Sequence, residues 1–138
     1  MRPQLKYAKV TPPYVLIVED DHALGKLIHD AFRIGGNRCF VIRSKNSAEQ
    51  FLRQVRPDLV ILDYHIIGGV GLEAAQLASN MNVPVIVTSG HLNVFERVRE
   101  AGYFYLKKPF TLSELLAMAS MLLGIDLSLP DNPPIQVH

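Results

Sequence analysis

Five side chains stand where they could act together on a phosphate or a metal ion: Glu19, Asp20, Asp63, Thr88 and Lys108. Each follows closely on a short apolar run or closes it. Glu19 and Asp20 follow Tyr14-Val15-Leu16-Ile17-Val18, Asp63 closes Leu59-Val60-Ile61-Leu62, Thr88 follows the run over 83–87, and Lys108 comes just after Tyr103-Phe104-Tyr105-Leu106. Taken singly, an acid at the end of a strand does no more than open a loop. Brought together, carboxylates repel one another unless they are protonated or bridged by a cation. Mg²⁺ is a hard ion that takes one or two protein carboxylates and leaves positions for water and phosphate oxygens. An amine beside them neutralises a phosphoryl oxygen, and a hydroxyl donates to another. With those partners Asp63 is placed as a nucleophile that becomes an acyl phosphate. Phosphoryl transfer needs mainly positioning and charge neutralisation, and this set offers both.

Such a set converges only if the runs that carry it are neighbouring strands. Residues 59–63 hold four branched apolar residues in a row, the pattern of a strand buried on both faces of a parallel sheet. Cys39-Phe40-Val41-Ile42 supplies a further strand. Between the strands lie helical patterns. Leu24, Leu27, Ile28, Ala31 and Phe32 share one face before Gly35-Gly36, and Ala48, Phe51, Leu52 and Val55 share another. Ser47 and Gln50 are spaced as a capping box for that second helix. A third helix is expected over 72–81, with Ala74, Leu77, Ala78 and Met81 inward. A weaker one carries Val94, Phe95, Val98 and Ala101. The last opens on Thr111 and Glu114, a capping box, and carries Leu112, Leu115, Leu116, Ala119 and Leu122 to Gly124. Five strands alternating with five helices call for an α/β, doubly wound parallel sheet covered on both faces. In such sheets ligands bind beyond the carboxyl ends of the strands, which is where all five reactive groups fall.

Composition bounds the rest. The chain has 138 residues, 49% of them hydrophobic and 20% charged, which suits one globular domain. A net charge of +1 offers no argument for a nucleic-acid or membrane surface. Cys39 is the single cysteine, so no internal disulfide framework exists and a reducing, cytoplasmic location is expected. The start lacks the apolar segment of a signal peptide. Residues 1–13 read as an N-terminal extension, 14–123 as the domain and 124–138 as an irregular C-terminal tail.

From about residue 14 to 123 the chain resembles the response-regulator receiver domain of bacterial two-component signalling. The resemblance rests on Val15-Leu16-Ile17-Val18-Glu19-Asp20-Asp21, on Asp63 with Gly71 eight positions on, on Thr88, and on Lys108-Pro109-Phe110. It implies a flavodoxin-like fold with strand order 2-1-3-4-5. Glu19 and Asp20 would be the acidic pair, Asp20 a direct Mg²⁺ ligand, Asp63 the phosphoacceptor and the backbone carbonyl of His65 a further ligand. Thr88 and Lys108 would contact the phosphoryl group, and Tyr105 would be the switch aromatic. A cis Lys108-Pro109 bond is expected on the same ground. The phosphoryl donor would be a histidine kinase or phosphotransfer protein, and the domain would not be an enzyme beyond assisting its own phosphorylation and dephosphorylation. The family usually has proline four residues after the phosphoacceptor, where this chain has Ile67. It often has Asp before the glycine, where this chain has Val70.

Other readings attach to several of these residues. Asp21 suits a helix start, His22 and His29 the surface of the first helix, Lys107 an exposed position, and residues 68–71 ordinary turn chemistry. Tyr105 is equally readable as plain core. A haloacid-dehalogenase-type phosphohydrolase also uses Asp, Thr and Lys on such a sheet, but it wants a second Asp two residues after the nucleophile, where His65 stands. A receiver-like module that only binds partners, its acidic site unused, is the third reading. The tail is short for a DNA-binding module, so the expected output is a protein contact, to a target or a second copy, through the 91–123 face. Met118 and Met121 there widen the apolar side of the last helix.

Overall fold

The computed structural model describes residues 11–127 and 136–137. Five strands form one sheet: β1 (Tyr14–Val18), β2 (Arg38–Ile42), β3 (Leu59–Asp63), β4 (Val85–Ser89) and β5 (Phe104–Lys107). All four pairings are parallel and the spatial order is β2-β1-β3-β4-β5, as the alternation and the family resemblance required. The helices are α1 (His22–Ile34), α2 (Lys45–Gln54), α3 (Leu72–Asn80), α4 (Phe95–Glu100) and α5 (Leu112–Leu123).

Strand side chains alternate between faces, and the core divides accordingly. Val15, Ile17, Leu59, Ile61 and Ile86 pack with Ile28 and Phe32 of α1 and with Leu115 and Ala119 of α5. Leu16, Val18, Val60, Leu62 and Val87 pack on the other face with Leu52 of α2, Ala74 and Ala78 of α3, and Val98 of α4. β1 and β3 are thus apolar on both sides, which explains their unbroken runs. Burying each of these branched side chains contributes about 1.5–3 kcal/mol. β2 and β5 are the sheet edges, and Phe40 on β2 is half exposed.

The helix starts show where local signals hold. Asp21 caps α1, its carboxylate accepting from the Leu24 N–H at 3.0 Å. Thr111 and Glu114 form the expected capping box of α5, and Gly124 closes that helix at φ 69°. At α2 the capping-box expectation is corrected. Ser44, not Ser47, is the cap, and its hydroxyl accepts from the Ser47 N–H at 3.2 Å. The helix begins earlier because Ser44 bridges to Ile67 and the Lys45 N–H donates to the Ile67 carbonyl at 2.8 Å. α4 is only six residues long, entered through a 3₁₀ turn at Leu92–Val94, and the Phe95 and Ala101 expected inward are exposed. β4 and β5 lie further along than their apolar runs suggested, so Thr88 and Lys107 are within strands.

The tail is more than irregular chain. Leu127 is buried in the α1/α5 core, its N–H bonded to the Ser120 hydroxyl, and Gln136–Val137 pairs antiparallel with Phe110–Thr111. The rest of the tail's 128–138 stretch and residues 1–10 of the N-terminal extension lie outside the described residues. Among the described residues no helix is long and apolar enough to cross a membrane.

Candidate functional site

Asp63 ends β3 in register with Thr88 of β4, and the Tyr64 N–H donates to the Thr88 carbonyl at 2.9 Å. The register of the two central strands therefore sets the carboxylate beside the buried Thr88. Glu19 follows β1 and is fixed by its own N–H, which donates to the Ile42 carbonyl of β2 at 2.9 Å. Lys108 follows β5, and its N–H donates to the Ser89 carbonyl at 2.8 Å. The Lys108-Pro109 bond is cis, as expected.

These placements bring Lys108 Nζ to 3.0 Å from Asp63 Oδ2 and 3.2 Å from Glu19 Oε1. Only 4% of the Glu19 side chain is exposed, against 12% of Asp63 and 17% of Lys108, so this ion pair is screened far less than a surface one. Burial, reinforced by the Asp63 charge, pushes the Glu19 carboxyl up to about 7 although Lys108 and the Asp21 N–H oppose it. Burial works to lower the Lys108 ammonium, but Asp63 and Glu19 outweigh it and the amine is held above its usual range. Carboxylate oxygens of Glu19, Asp20 and Asp63 all lie within 4.8 Å of one another. A buried carboxyl raised this far marks a place short of positive charge. The oxygen-only donor set, with one amine nearby, fits a hard divalent cation.

Glu19, Asp20, Asp63, Thr88 and Lys108 thus come together at one sheet edge. Asp21 stands apart as the α1 cap. His65 lies two residues beyond Asp63 with its N–H 3.4 Å from Asp63 Oδ1. His22 and Lys107 are exposed and His29 is partly buried on α1. Tyr105 is half-buried rather than core: its hydroxyl donates toward the Ser89 carbonyl at 3.2 Å and the His91 carbonyl at 3.4 Å, and its ring meets Phe95 edge-on. Residues 65–66 and 69–70 form a small antiparallel ribbon, with Gly68 and Gly69 at positive φ. Ile67 and Val70, the two departures from the family pattern, are both exposed on it.

Three contributors had no signal in the sequence. Ser89 is buried and its hydroxyl accepts from the His91 N–H at 3.0 Å. Arg43 donates to the Asp20 carbonyl at 3.0 Å, steadying the acidic pair from the β2 side. Lys45 pairs with Glu73, tying the start of α2 to α3 across the loop that follows Asp63. The partners of Arg43 and Lys45 are remote in sequence, and the short Ser89–His91 bond belongs to no helix or strand pattern that would announce it.

The fold and the converged site define a class, and comparison with known proteins agrees. The profile of the response regulator receiver domain family matches residues 15–120, and the chain belongs to that family. It is similar to the transcriptional regulatory protein PrrA of Mycobacterium tuberculosis, 36% identical over 119 residues, which covers 83% of this chain and 51% of PrrA. The chain therefore spans about half the length of that relative. Sporulation initiation phosphotransferase F of Bacillus subtilis is 28% identical over 106 residues, 73% of this chain and 86% of that protein. Among solved structures, the CheY-like receiver domain protein of Methanospirillum hungatei superposes with a TM-score of 0.77 at 19% identity, covering 83% of this chain and 95% of its own. The receiver domain of the sensor histidine kinase PA1611 from Pseudomonas aeruginosa, solved with a magnesium ion in its active-site cleft, gives 0.71 at 24% identity, covering 83% and 99%.

Proposed function

We propose that Asp63 accepts a phosphoryl group from a histidine kinase or a phosphotransfer protein, and that the phosphorylated domain signals through a protein contact. The observation that carries this reading is the Lys108 ammonium shared between Asp63 and Glu19 at the end of the central strand, with Thr88 in register beside them. In the transfer an Asp63 carboxylate oxygen forms a bond to phosphorus as the bond from phosphorus to the donor's imidazole nitrogen breaks. The imidazole leaves with the bonding pair. Lys108 is close enough to exchange its pairing with Asp63 for one with a phosphoryl oxygen, and the Thr88 hydroxyl is a donor for another. Glu19, Asp20, Asp63 and the main-chain carbonyl of His65 would hold Mg²⁺, which supplies neutralisation of the phosphoryl charge when bound.

The domain would assist its own phosphorylation and hydrolysis without being an enzyme for other substrates. The relative named a phosphotransferase supports a phosphoryl-carrying role. Thr88 and Tyr105 would form the switch, since the Tyr105 hydroxyl rests on the β4–α4 segment that follows Thr88. The output contact would use the 91–123 face, where Leu92, Phe95, Phe104 and Met121 are exposed. The single cysteine and the want of a spanning helix among the described residues agree with a cytoplasmic location. The test is incubation of the full chain with acetyl phosphate, with and without Mg²⁺. Incorporation of one phosphoryl group that requires Mg²⁺ is the expected result. No incorporation would leave a binding module with an unused acidic site, and steady hydrolysis of phosphomonoesters would point to a phosphohydrolase.

A further inference from the structure

Beside the acidic cluster, two imidazoles from different loops meet. His65 lies on the ribbon after β3 and His91 on the segment after β4, and their ring centroids are 5.0 Å apart with planes at 77°. Both side chains are exposed. We propose that His65 and His91 form a binding site for a divalent transition ion of the imidazole-preferring class, such as Zn²⁺, separate from the carboxylate cluster and set at its mouth.

The spacing is the first argument. Zinc sits about 2.0–2.1 Å from a histidine nitrogen in tetrahedral sites, so a ring centroid lies roughly 3.2 Å from the ion and two such rings stand about 5 Å apart. The observed separation matches. The rings cross at a wide angle rather than lying stacked, an arrangement open to two imidazoles that share one ion.

Fixed backbones are the second argument. The His65 ring also packs edge-on against Tyr64 at 4.8 Å, and the residue is paired with Val70 in the ribbon. The His91 N–H donates to the Ser89 hydroxyl and its carbonyl accepts from Tyr105. None of these backbone contacts needs an imidazole at either position. The two rings are therefore held near each other before any ion arrives, which lowers the ordering cost of binding.

Donor type separates this pair from the neighbouring acids. Imidazole suits Zn²⁺ and Cu²⁺, whereas carboxylate and carbonyl oxygens suit Mg²⁺. Among the described residues no third histidine, cysteine or carboxylate joins the pair, so the remaining coordination positions would be filled by water or by a phosphate oxygen. An ion bridging His65 and His91 would tie the two loops together across the approach to Asp63 and slow phosphoryl exchange there. That consequence rests on the proposed function of Asp63, and the ion binding itself does not.

The test is calorimetric titration of the full chain with Zn²⁺ in excess Mg²⁺, repeated on His65→Ala, His91→Ala and the double variant. One ion should bind, and each single substitution should weaken it by at least the roughly 10–100-fold that loss of an outer-shell partner costs. The double variant should lose little more than either single one. The C2 protons of both rings should shift together in NMR spectra of the parent chain. Binding unchanged by both substitutions, or abolished by only one of them, would overturn the proposal. Asp63→Asn should still bind the ion, so a failure of phosphoryl labelling at Asp63 and a failure of this site are read separately.

Discussion

Gly71 offers a perturbation whose size follows from the structure. It precedes α3, its N–H donates to the Tyr64 carbonyl at 2.8 Å, and its φ of −74° is open to any residue. Backbone conformation therefore gives no reason for glycine there. Space does: a Cβ would lie 2.8 Å from Leu62 Cδ2, 2.9 Å from the Asp63 carbonyl oxygen and 3.0 Å from Leu62 Cγ. Ordinary contacts begin at 3.4 Å, beyond all three distances, and two of the three atoms belong to a fully buried side chain in the central strand. The third is main chain of β3 itself. Gly71→Ala must displace α3 from β3, and the cost belongs in the upper part of the roughly 1–3 kcal/mol range for overpacking. Gly90→Ala is the control, because its Cβ would meet only Lys108 Cβ at 3.9 Å and its φ lies outside the left-handed range. That change should be neutral or add about 0.4–1 kcal/mol by restricting the unfolded chain. Urea unfolding followed by circular dichroism reads both: a loss of about 2 kcal/mol moves the midpoint by roughly 1 M at a typical slope. A Gly71→Ala midpoint equal to that of Gly90→Ala would refute the packing argument.

Three further outcomes follow from the site. Glu19 is raised to about 7, so its neutral form favours the metal-free fold. This contribution is fully present below the ordinary value of 4.5 and is lost as pH rises through about 7. Mg²⁺ needs the ionised form, and its affinity, measured by titration across pH 5.5–8.5 (a range bracketing about one to two units around that value), should rise through neutrality and level off; a flat profile would contradict the shift. Asp20→Asn should abolish most Mg²⁺ binding with little change in stability, whereas Asp21→Ala should spare Mg²⁺ and cost about 1 kcal/mol as a lost α1 cap. Equal metal losses in the two would remove the division of roles. His65→Ala should shorten the lifetime of the phosphorylated state, followed by loss of label without kinase, because the residue stands two positions beyond Asp63 with its N–H 3.4 Å from Asp63 Oδ1 and its side chain is expected to obstruct water; a longer lifetime would assign His65 a water-activating role.

The strands were the most legible part of the chain. Runs such as 59–62 are apolar at every position because the sheet is covered on both faces, and their polar ends mark the site without any alignment of elements. Asp21 and Thr111 were legible as caps because their partners, Leu24 and Glu114, lie three residues away. Ser44 was not: its bond to the Ser47 N–H is equally local, but Ser47 and Gln50 offer a competing capping spacing, and the pairing of residues 44 and 45 with Ile67 sets where α2 begins. Met118 and Met121 looked alike in sequence, yet Met118 packs against the core while Met121 is 64% exposed, leaving Met121 alone available to a partner. The contact of His65 with His91 joins two loops whose shapes depend on glycine turns and on Ser89, and nothing in the spacing of those residues encodes it.

The central claim is that Asp63 alone carries the phosphoryl group, and an acyl phosphate can be located chemically. After treatment with acetyl phosphate and Mg²⁺, borohydride reduction converts a phosphorylated aspartate to homoserine, and tandem mass spectrometry of the digest finds its position. The homoserine should appear at position 63 and nowhere else, and it should be absent without phosphodonor and in Asp63→Asn. Homoserine at position 20 or 21, or label that survives in Asp63→Asn, would contradict the account.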